Sequence, residues 1–261
     1  MDDRTALITG ASSGIGEALA RQFAERDFNL IITARRAERL TALAESLSHV
    51  EVTTVPCDLG APGGAQQLID AVAAEGKRVD VLVNNAGVAY SSYLTDLTPE
   101  EADSLIALNI TALTRLTHHY ANDMMSRGFG RILNVASVAG FQPVPSMSLY
   151  AASKAFVLSL SEGLSEELRG TGVSVTALCP GLTRTEMANA LVDQAENLPP
   201  FVMATAEEVA REGFDAMMAK EAIRIPGIAN QAAVAWAQFQ PRWFIRGLGG
   251  MFGRLNPARR Q

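Results

Sequence analysis

The chain has 261 residues, 48% of them hydrophobic and 19% charged, enough to bury a sizeable core within one large α/β domain or two small ones. A net charge of −6 and an isoelectric point near 5.2 lack the surplus of Lys and Arg that phosphate-backbone binding uses, so nucleic acid is excluded as a partner of the whole chain. Cys57 and Cys179 each fall in an apolar run that reads as a strand, and His49, His118 and His119 show no ligand spacing; reduced core thiols and no metal are expected.

The chain opens Met1-Asp2-Asp3-Arg4 and runs directly into Thr5-Ala6-Leu7-Ile8-Thr9, with none of the ordered regions of a secretory signal. Nor is there an uncharged apolar stretch of about 18 residues, the length of a spanning helix. A cytoplasmic location is the expectation.

In chain order, β-type runs at 5–9, 29–34, 51–57, 79–84, 130–136 and 173–179 alternate with segments of helical period at 14–26, 37–48, 63–75, 99–127, 149–169 and 206–219. This alternation predicts an α/β fold, a single Rossmann-type doubly wound parallel sheet flanked by helices on both faces. The runs 79–83 and 132–136 are apolar on both faces, as strands covered from both sides must be. Thr98 is placed to cap the long helix, with Pro99 in its first turn. With no Pro/Gly/Ser linker or repeat, residues 1–225 read as one domain and 226–261 as a basic extension of the same unit.

Thr9-Gly10-Ala11-Ser12-Ser13-Gly14-Ile15-Gly16 leaves the first strand and opens the first helix. Glycines there permit a tight turn and close backbone approach, and the helix N-terminus offers free N–H groups to a pyrophosphate. At the end of the second strand, where an NAD site wants an acidic side chain for the ribose 2′-hydroxyl, stand Ala34-Arg35-Arg36. Guanidinium groups suit a 2′-phosphate, so NADP(H) is preferred, with NAD(H) possible. Arg35 is the first contact expected, Arg36 or Arg39 further ones, and an arginine capping the strand end in solvent is the plain alternative. Asp58, followed by Leu59, ends the third strand and can accept from an adenine amino group or cap the next segment. Asn84-Asn85-Ala86-Gly87 ends the fourth strand: small residues for packing against a flat ligand, or a turn with a strand-bridging asparagine.

Tyr150 and Lys154 lie four apart on a helix, hence on one face. An ammonium beside a phenol favours phenolate and lowers its pKa, and such a hydroxyl can give a proton to a carbonyl or take one from an alcohol. Ser137 ends the fifth strand, on the side of the sheet where ligands of open parallel sheets bind. Its hydroxyl can hold the substrate oxygen; its surroundings lack a Gly-x-Ser-x-Gly elbow and no histidine is placed to make it a hydrolase nucleophile.

Taken together, these motifs resemble the short-chain dehydrogenase/reductase family over residues 5 to about 225. The resemblance is carried by Thr9 to Gly16, Asp58, Asn84 to Gly87, Asn109, Ser137, Tyr150, Lys154 and Pro180-Gly181-Leu182-Thr183-Arg184-Thr185. It implies direct hydride transfer between a nicotinamide cofactor and a carbonyl or alcohol carbon, with Tyr150 as general acid/base and Ser137 orienting the oxygen. It further implies that Lys154 holds the nicotinamide ribose, that Asn109 holds a water in a relay from Lys154, and that Pro180, Gly181, Thr183 and Thr185 clasp the carboxamide. Residues 186–204 resemble the family's substrate lid, interrupted by Pro199-Pro200. The helices from Pro99 and Leu149 resemble its dimer surface, which implies a homodimer or homotetramer. Val88, Val138, Phe141, Val144 and Met187 are expected to face a small-molecule substrate, which favours a hydrophobic ketone, aldehyde or alcohol.

The C-terminal segment differs in character. Beyond Ala222 no acidic residue occurs, while Arg224, Arg242, Arg246, Arg254, Arg259 and Arg260 are basic, and Phe244, Leu248, Met251, Phe252 and Leu255 share a helical face. Such a segment can lie on an anionic membrane, pack across an oligomer interface or cover the active site. Gly247, Gly249, Gly250 and Gly253 weaken an isolated helix and favour packing over the membrane. The rival to an enzyme is a non-catalytic NADP(H) sensor or scaffold whose tail binds a partner or membrane; intact Ser137, Tyr150 and Lys154 argue against it.

Overall fold

The computed structural model describes residues 4–191, 203–241 and 247. Seven strands form one parallel sheet: β1 (Thr5–Thr9), β2 (Asn29–Thr33), β3 (Val52–Thr54), β4 (Val81–Asn84), β5 (Gly130–Val135), β6 (Val173–Leu178) and β7 (Ile223–Arg224). Their spatial order is β3-β2-β1-β4-β5-β6-β7, so the winding reverses between β1 and β4. Connections leave these two strands toward opposite edges, and a crevice opens at their carboxyl ends. The sheet is the Rossmann-type doubly wound sheet the alternation predicts, with β7, two residues long, as an added edge strand.

Period-2 alternation explains the layering. Leu7, Leu82, Ile132 and Val175 stand side by side in register and face α3 (Gly64–Ala74) and α5 (Leu113–Arg127), packing on Leu68, Val72, Leu116 and Met124. Their neighbours Ile8, Val83 and Leu133 face the opposite layer. There α1 (Gly14–Ala24), α2 (Ala37–Ser46) and α8 (Ala206–Met218) bring in Leu19, Phe23, Leu40, Val209 and Phe214. Phe23, Phe28 and Phe214 meet edge to face with centroids 4.9 to 6.1 Å apart, the geometry the ring quadrupoles prefer.

The expected long helix from Pro99 is real, and its start follows from its sequence. The Thr98 hydroxyl accepts from Glu101 N at 3.2 Å, and the Glu101 carboxylate accepts from Thr98 N at 3.0 Å, a reciprocal cap. The regular helix expected over 99–127 is corrected in one respect. It runs as α4 (Pro99–Ile106), a π turn over Ala107–Ala112, and then α5, which stops at Gly128 in the left-handed region. Such π turns collect at functional sites, and this one holds Asn109. Strands β2 to β6 are each shorter than the expected run: β2 ends at Thr33, β3 covers only Val52–Thr54, β4 begins at Val81, β5 ends at Val135 and β6 at Leu178. Cys57 therefore lies beyond its strand, half-buried; Cys179 directly follows β6 and is buried, and both are free thiols.

At the opposite end of the sheet Asp80 is fully buried. Its carboxylate accepts from Thr5 N at 3.1 Å and meets Arg78 at 2.8 Å and Arg127 at 3.1 Å, tying the start of β1 to β4 and the end of α5. Among the described residues no helix is long and apolar enough to cross a membrane. Arg224, counted with the basic tail, is paired with Glu212 and Glu221. After α9 (Ile228–Gln238), the remaining tail residues named above, Gly247 excepted, lie outside the described residues, as does most of the 186–204 segment.

Removing the buried carboxylate leaves Thr5 N without its acceptor, while exposed Arg78 keeps solvent and Arg127 keeps Asp123. Asp80→Ala is expected to lower unfolding stability by about 2 kcal/mol, measured by urea denaturation. A loss below about 0.5 kcal/mol, the scale of an ordinary surface substitution, would show that the cluster does not hold these elements.

Candidate active site

The crevice at the switch point is built from two loops sewn together. Thr9, the last residue of β1, donates its hydroxyl to Val83 O at 3.2 Å and accepts from Asn85 N and Ala86 N, both at 3.0 Å. Asn85 returns its amide to Thr9 O at 2.9 Å. Asn84 points the other way and is the strand-bridging asparagine: its amide reaches Thr117 and Asn134, each at 2.9 Å, and Asn134 reaches Ser161 at 2.9 Å. Thr9, Thr117, Asn134 and Ser161 are not legible as site supports, because their partners lie 27 to 77 positions away.

Glycine is required twice in the turn after β1. Gly10 has φ +68°, and a Cβ on it would lie 2.8 Å from Asn85 Nδ2 and 2.9 Å from Ala86 Cα. A Cβ on Gly16 would lie 2.3 Å from Gly10 O, so α1 could not seat against the turn. The first-turn N–H groups of α1 have no partners inside their own helix and are the natural seat for a pyrophosphate.

This turn borders a cavity of about 370 Å³. Of the expected cofactor residues, Gly10, Ser12, Ser13, Gly14, Ile15, Arg35, Arg36, Asp58, Leu59, Asn85, Ala86, Gly87 and Thr185 line it. Gly16 stands behind the lining as the packing glycine. Asp58 lines the cavity, and its carboxylate accepts from Gly60 N at 3.0 Å. The cradle a side chain would fill, the helix end and two adjacent guanidinium groups fit a dinucleotide with a 2′-phosphate.

The two arginines take different positions at the cavity. Arg35, expected as the first contact, lines the cavity from an exposed position. Arg36 lies against the glycine turn, donating to Ser12 Oγ at 3.0 Å and Ser13 Oγ at 2.7 Å, and its Nη1 reaches Glu186 at 2.8 Å. Arg39 also donates to Glu186. These two guanidinium groups, Arg39 foremost, pull the Glu186 carboxyl down to about 2. Glu186 opens the short helix α7 (Glu186–Leu191) and also lines the cavity; no sequence signal marked it.

The residues expected to carry the reaction stand beside Gly87. Ser137 follows β5, and Tyr150 and Lys154 share one face of α6 (Ser148–Glu167). Gly140 lets the 3-10 turn Val138–Phe141 lie on that helix, since a Cβ there would be 2.9 Å from the Lys154 carbonyl. Ser137 Oγ accepts from Ala139 N at 3.1 Å. Lys154 is 6% exposed, donates to Val135 O at 2.8 Å and sits 5.7 Å from the Tyr150 ring centre. Asn109, 1% exposed within the π turn, accepts from Val88 N and donates to Val88 O, each at 2.9 Å, and donates to Ser153 Oγ at 3.2 Å. A Cβ on Gly87 would be 3.2 Å from Asn109 Oδ1 and 3.7 Å from Lys154 Nζ, so this glycine brings the two side chains to one place. Gly140 and Ser153 are supports that sequence reasoning missed.

Burial dominates the acidities here. It pushes Lys154 down from 10.5 to about 8, because an ammonium deprived of water loses its solvation. It pushes the Tyr150 hydroxyl up, and the Ser137 hydrogen bond pulls it partly back. The net shift of the phenol is therefore upward, set by burial.

Pro180, Gly181 and Thr183 do not line the cavity; they brace the loop after β6. Pro180 O accepts from Val138 N at 3.0 Å, Thr183 donates to Gly181 O at 3.1 Å, and Asn230 of α9 lies where a Cβ of Gly181 would be. On the substrate side Val88 and Met187 line the cofactor cavity. Val138 opens the 3-10 turn. Phe141 and Val144, expected beside them, line a separate cavity of about 880 Å³ bordered by α6 and α9. Among the described residues no group of three His, Cys, Asp or Glu could hold a metal.

Comparison with known proteins agrees with this geometry. The short chain dehydrogenase family model matches residues 4–196. Sulfoacetaldehyde reductase 2 of Chromohalobacter salexigens is 43% identical over 183 residues, which is 69% of this chain and 73% of the relative. Among solved structures, a short-chain dehydrogenase from Sphingobium yanoikuyae in complex with NADPH is 38% identical, with a TM-score of 0.81 over 99% of this chain and 96% of that one. The bulky-bulky ketone specific alcohol dehydrogenase from Comamonas testosteroni is 32% identical, with a TM-score of 0.78 over 93% and 96%. The family match begins at β1, runs through every residue of the reaction centre and extends beyond Glu186, so this chain belongs to the short-chain dehydrogenase family and is an NAD(P)-dependent oxidoreductase acting between alcohol and carbonyl.

Proposed function

We propose that the protein is an NADP(H)-dependent reductase of hydrophobic ketones or aldehydes, working in the cytoplasm as a homodimer or homotetramer, with Tyr150 as its proton donor. The observation that carries this reading is the convergence of Ser137, Tyr150, Lys154 and Asn109 beside a cavity whose opposite end holds Arg35 and Arg36. The nicotinamide supplies or accepts the hydride when bound. The chain's own groups handle the proton. Ser137 holds the substrate oxygen, and the Tyr150 hydroxyl, kept protonated by burial, donates to that oxygen as charge develops on it. Lys154, recessed and readily deprotonated, would hold the nicotinamide ribose and, with Asn109, pass a proton inward to Tyr150.

Three features support the cofactor and substrate class. No acidic residue stands at the end of β2, and the guanidinium of Arg36 is already oriented over the glycine turn. The lining near Gly87 is apolar, from Val88, Leu108 and Met187, and the cations of the described lining, Arg35 and Arg36, belong to the adenosine end. This arrangement favours a carbonyl with an apolar body over a small anionic aldehyde. Support for self-association comes from Ile106, Met125 and Phe156, large apolar side chains left exposed on α4, α5 and α6, the helices with the family's dimer resemblance.

An NADPH-oxidation screen over aldehydes, ketones and quinones tests the reading, with Tyr150→Phe as control. Tyr150→Phe is expected to keep NADPH affinity within a few-fold while turnover falls about 10³-fold, within the range of general acid catalysis. Near-normal turnover in that variant, or cofactor binding with no activity on any class, would sink the proposal.

Burial of Lys154 makes a second prediction, on stability. Its folded pKa of about 8 lies below the ordinary 10.5, so the unfolded chain holds this proton more tightly. Stability attributable to Lys154 is therefore lowest below about pH 8 and recovers as pH rises toward 10.5. Lys154→Met is expected to lose activity yet be more stable at pH 7 by roughly 3 kcal/mol, the gap to wild type closing as pH rises through that window. A variant less stable than wild type at pH 7 would show that the lysine's hydrogen bond to Val135 outweighs its desolvation.

A further inference from the structure

Arg36, which lines the cavity, and Arg39, three positions further on, are both engaged by one carboxylate. Arg36 Nη1 meets Glu186 Oε2 at 2.8 Å, Arg39 Nη1 meets Glu186 Oε1, and the rest of the Arg36 fork is spent on Ser12 and Ser13. Glu186 lines the same cavity as those serines and as Arg35. A phosphate dianion brought to this fork would face the carboxylate at close range, and like charges at one site repel. The Glu186 side chain is 54% exposed, so water can receive it when it leaves.

We infer that Glu186 is a resident counter-anion of the cofactor site, competing with the 2′-phosphate for Arg36 and Arg39 and so setting how strongly the enzyme prefers NADP(H) over NAD(H). The inference rests on the NADP(H) reading and adds a determinant to it that lies 150 positions from Arg36. NAD(H), which lacks the 2′-phosphate, has no need of the two guanidinium groups and leaves the Glu186 contacts standing. NADP(H) must displace them, so the measured preference is smaller than the arginines alone would give. Glu186 also begins α7, directly after the cavity residue Thr185, so the exchange of carboxylate for phosphate is felt at the first turn of that helix.

The test is direct titration of the full-length protein with NADPH and with NADH, followed by cofactor fluorescence, in wild type, Glu186→Gln and Glu17→Gln. Glu17 pairs with Arg21 at 2.9 Å on the surface of α1 and serves as the charge control. Glu186→Gln is expected to tighten NADPH about five-fold, the scale of relieving exposed ion pairs, and to change NADH less than two-fold. Glu17→Gln should move neither. Isothermal titration with 2′-AMP and 5′-AMP should repeat the contrast on the phosphate alone. Unchanged NADPH affinity in Glu186→Gln overturns the competition, and equal weakening of both cofactors makes Glu186 a latch over bound cofactor instead. Wild type that binds NADH and not NADPH overturns the cofactor reading and the competition with it.

Discussion

The hydroxyl of Thr9 holds the site together. A parallel sheet whose winding reverses between β1 and β4 leaves a gap between the loops that follow them, and a gap alone has no fixed shape. Thr9 donates across to Val83 and accepts from Asn85 and Ala86, fixing the glycine turn against the loop that leads to Gly87. Everything chemical is measured from that seam. Gly10 and Gly16 have their limits set by it, and Gly87 carries the seam on to Asn109 and Lys154. The hydrogen bonds at its other end, from Asn84 through Asn134 to Ser161, extend the same order into α6, which bears Tyr150 and Lys154. The cavity and the Tyr150–Lys154 pair therefore share one frame.

That frame carries a cost in the form of Lys154. An ammonium 6% exposed, with a backbone carbonyl as its near partner, is a poor choice for stability and a good one for moving protons near neutral pH. The π turn is a related concession. A regular helix from Pro99 would bury its apolar stripe evenly, but the added residue in Ala107–Ala112 turns Asn109 toward Val88, where its amide and oxygen both close on the same backbone. Asn109 is thus held by structure before any ligand arrives, the preorganisation that a proton path requires.

The parts of this architecture legible in sequence were those encoded locally. Strand–helix alternation, the Thr98 cap, the glycine turn and the four-residue spacing of Tyr150 and Lys154 each depend on neighbours within a few positions, and each stands where its pattern placed it. The illegible parts depend on distant partners or tiny extents. Strand β7 is two residues long, too short for any period. The π turn keeps a helical composition while changing its count. That Arg36 folds back onto Ser12 and Ser13 is invisible without the geometry of the turn, and Glu186 joins the site only through contacts 147 and 150 positions away. Phe141 and Val144 line the cavity bordered by α6 and α9, a placement that depends on Ala237 and Gln238 far along the chain.

The same division explains why chemistry is easier to assign than substrate. The cradle and the reaction centre lie between Thr9 and Thr185, inside the stretch matched by the family model over residues 4–196, where a reductase of sulfoacetaldehyde and this chain share 43% identity. A structural relative specific for bulky ketones keeps the same frame at 32% identity. One frame thus accompanies relatives named for very different carbonyls, so it cannot be what selects among them. Selection must come from side chains that border the reaction centre without belonging to it: Val88 and Leu108 on one side and the first residues of α7 on the other. Met187 stands there, one residue beyond Glu186, so the segment that meets Arg36 and Arg39 also presents an apolar side chain to the cavity. Cofactor end and substrate end are thereby joined through two adjacent side chains, which makes the start of α7 the place where a change in one would be felt by the other.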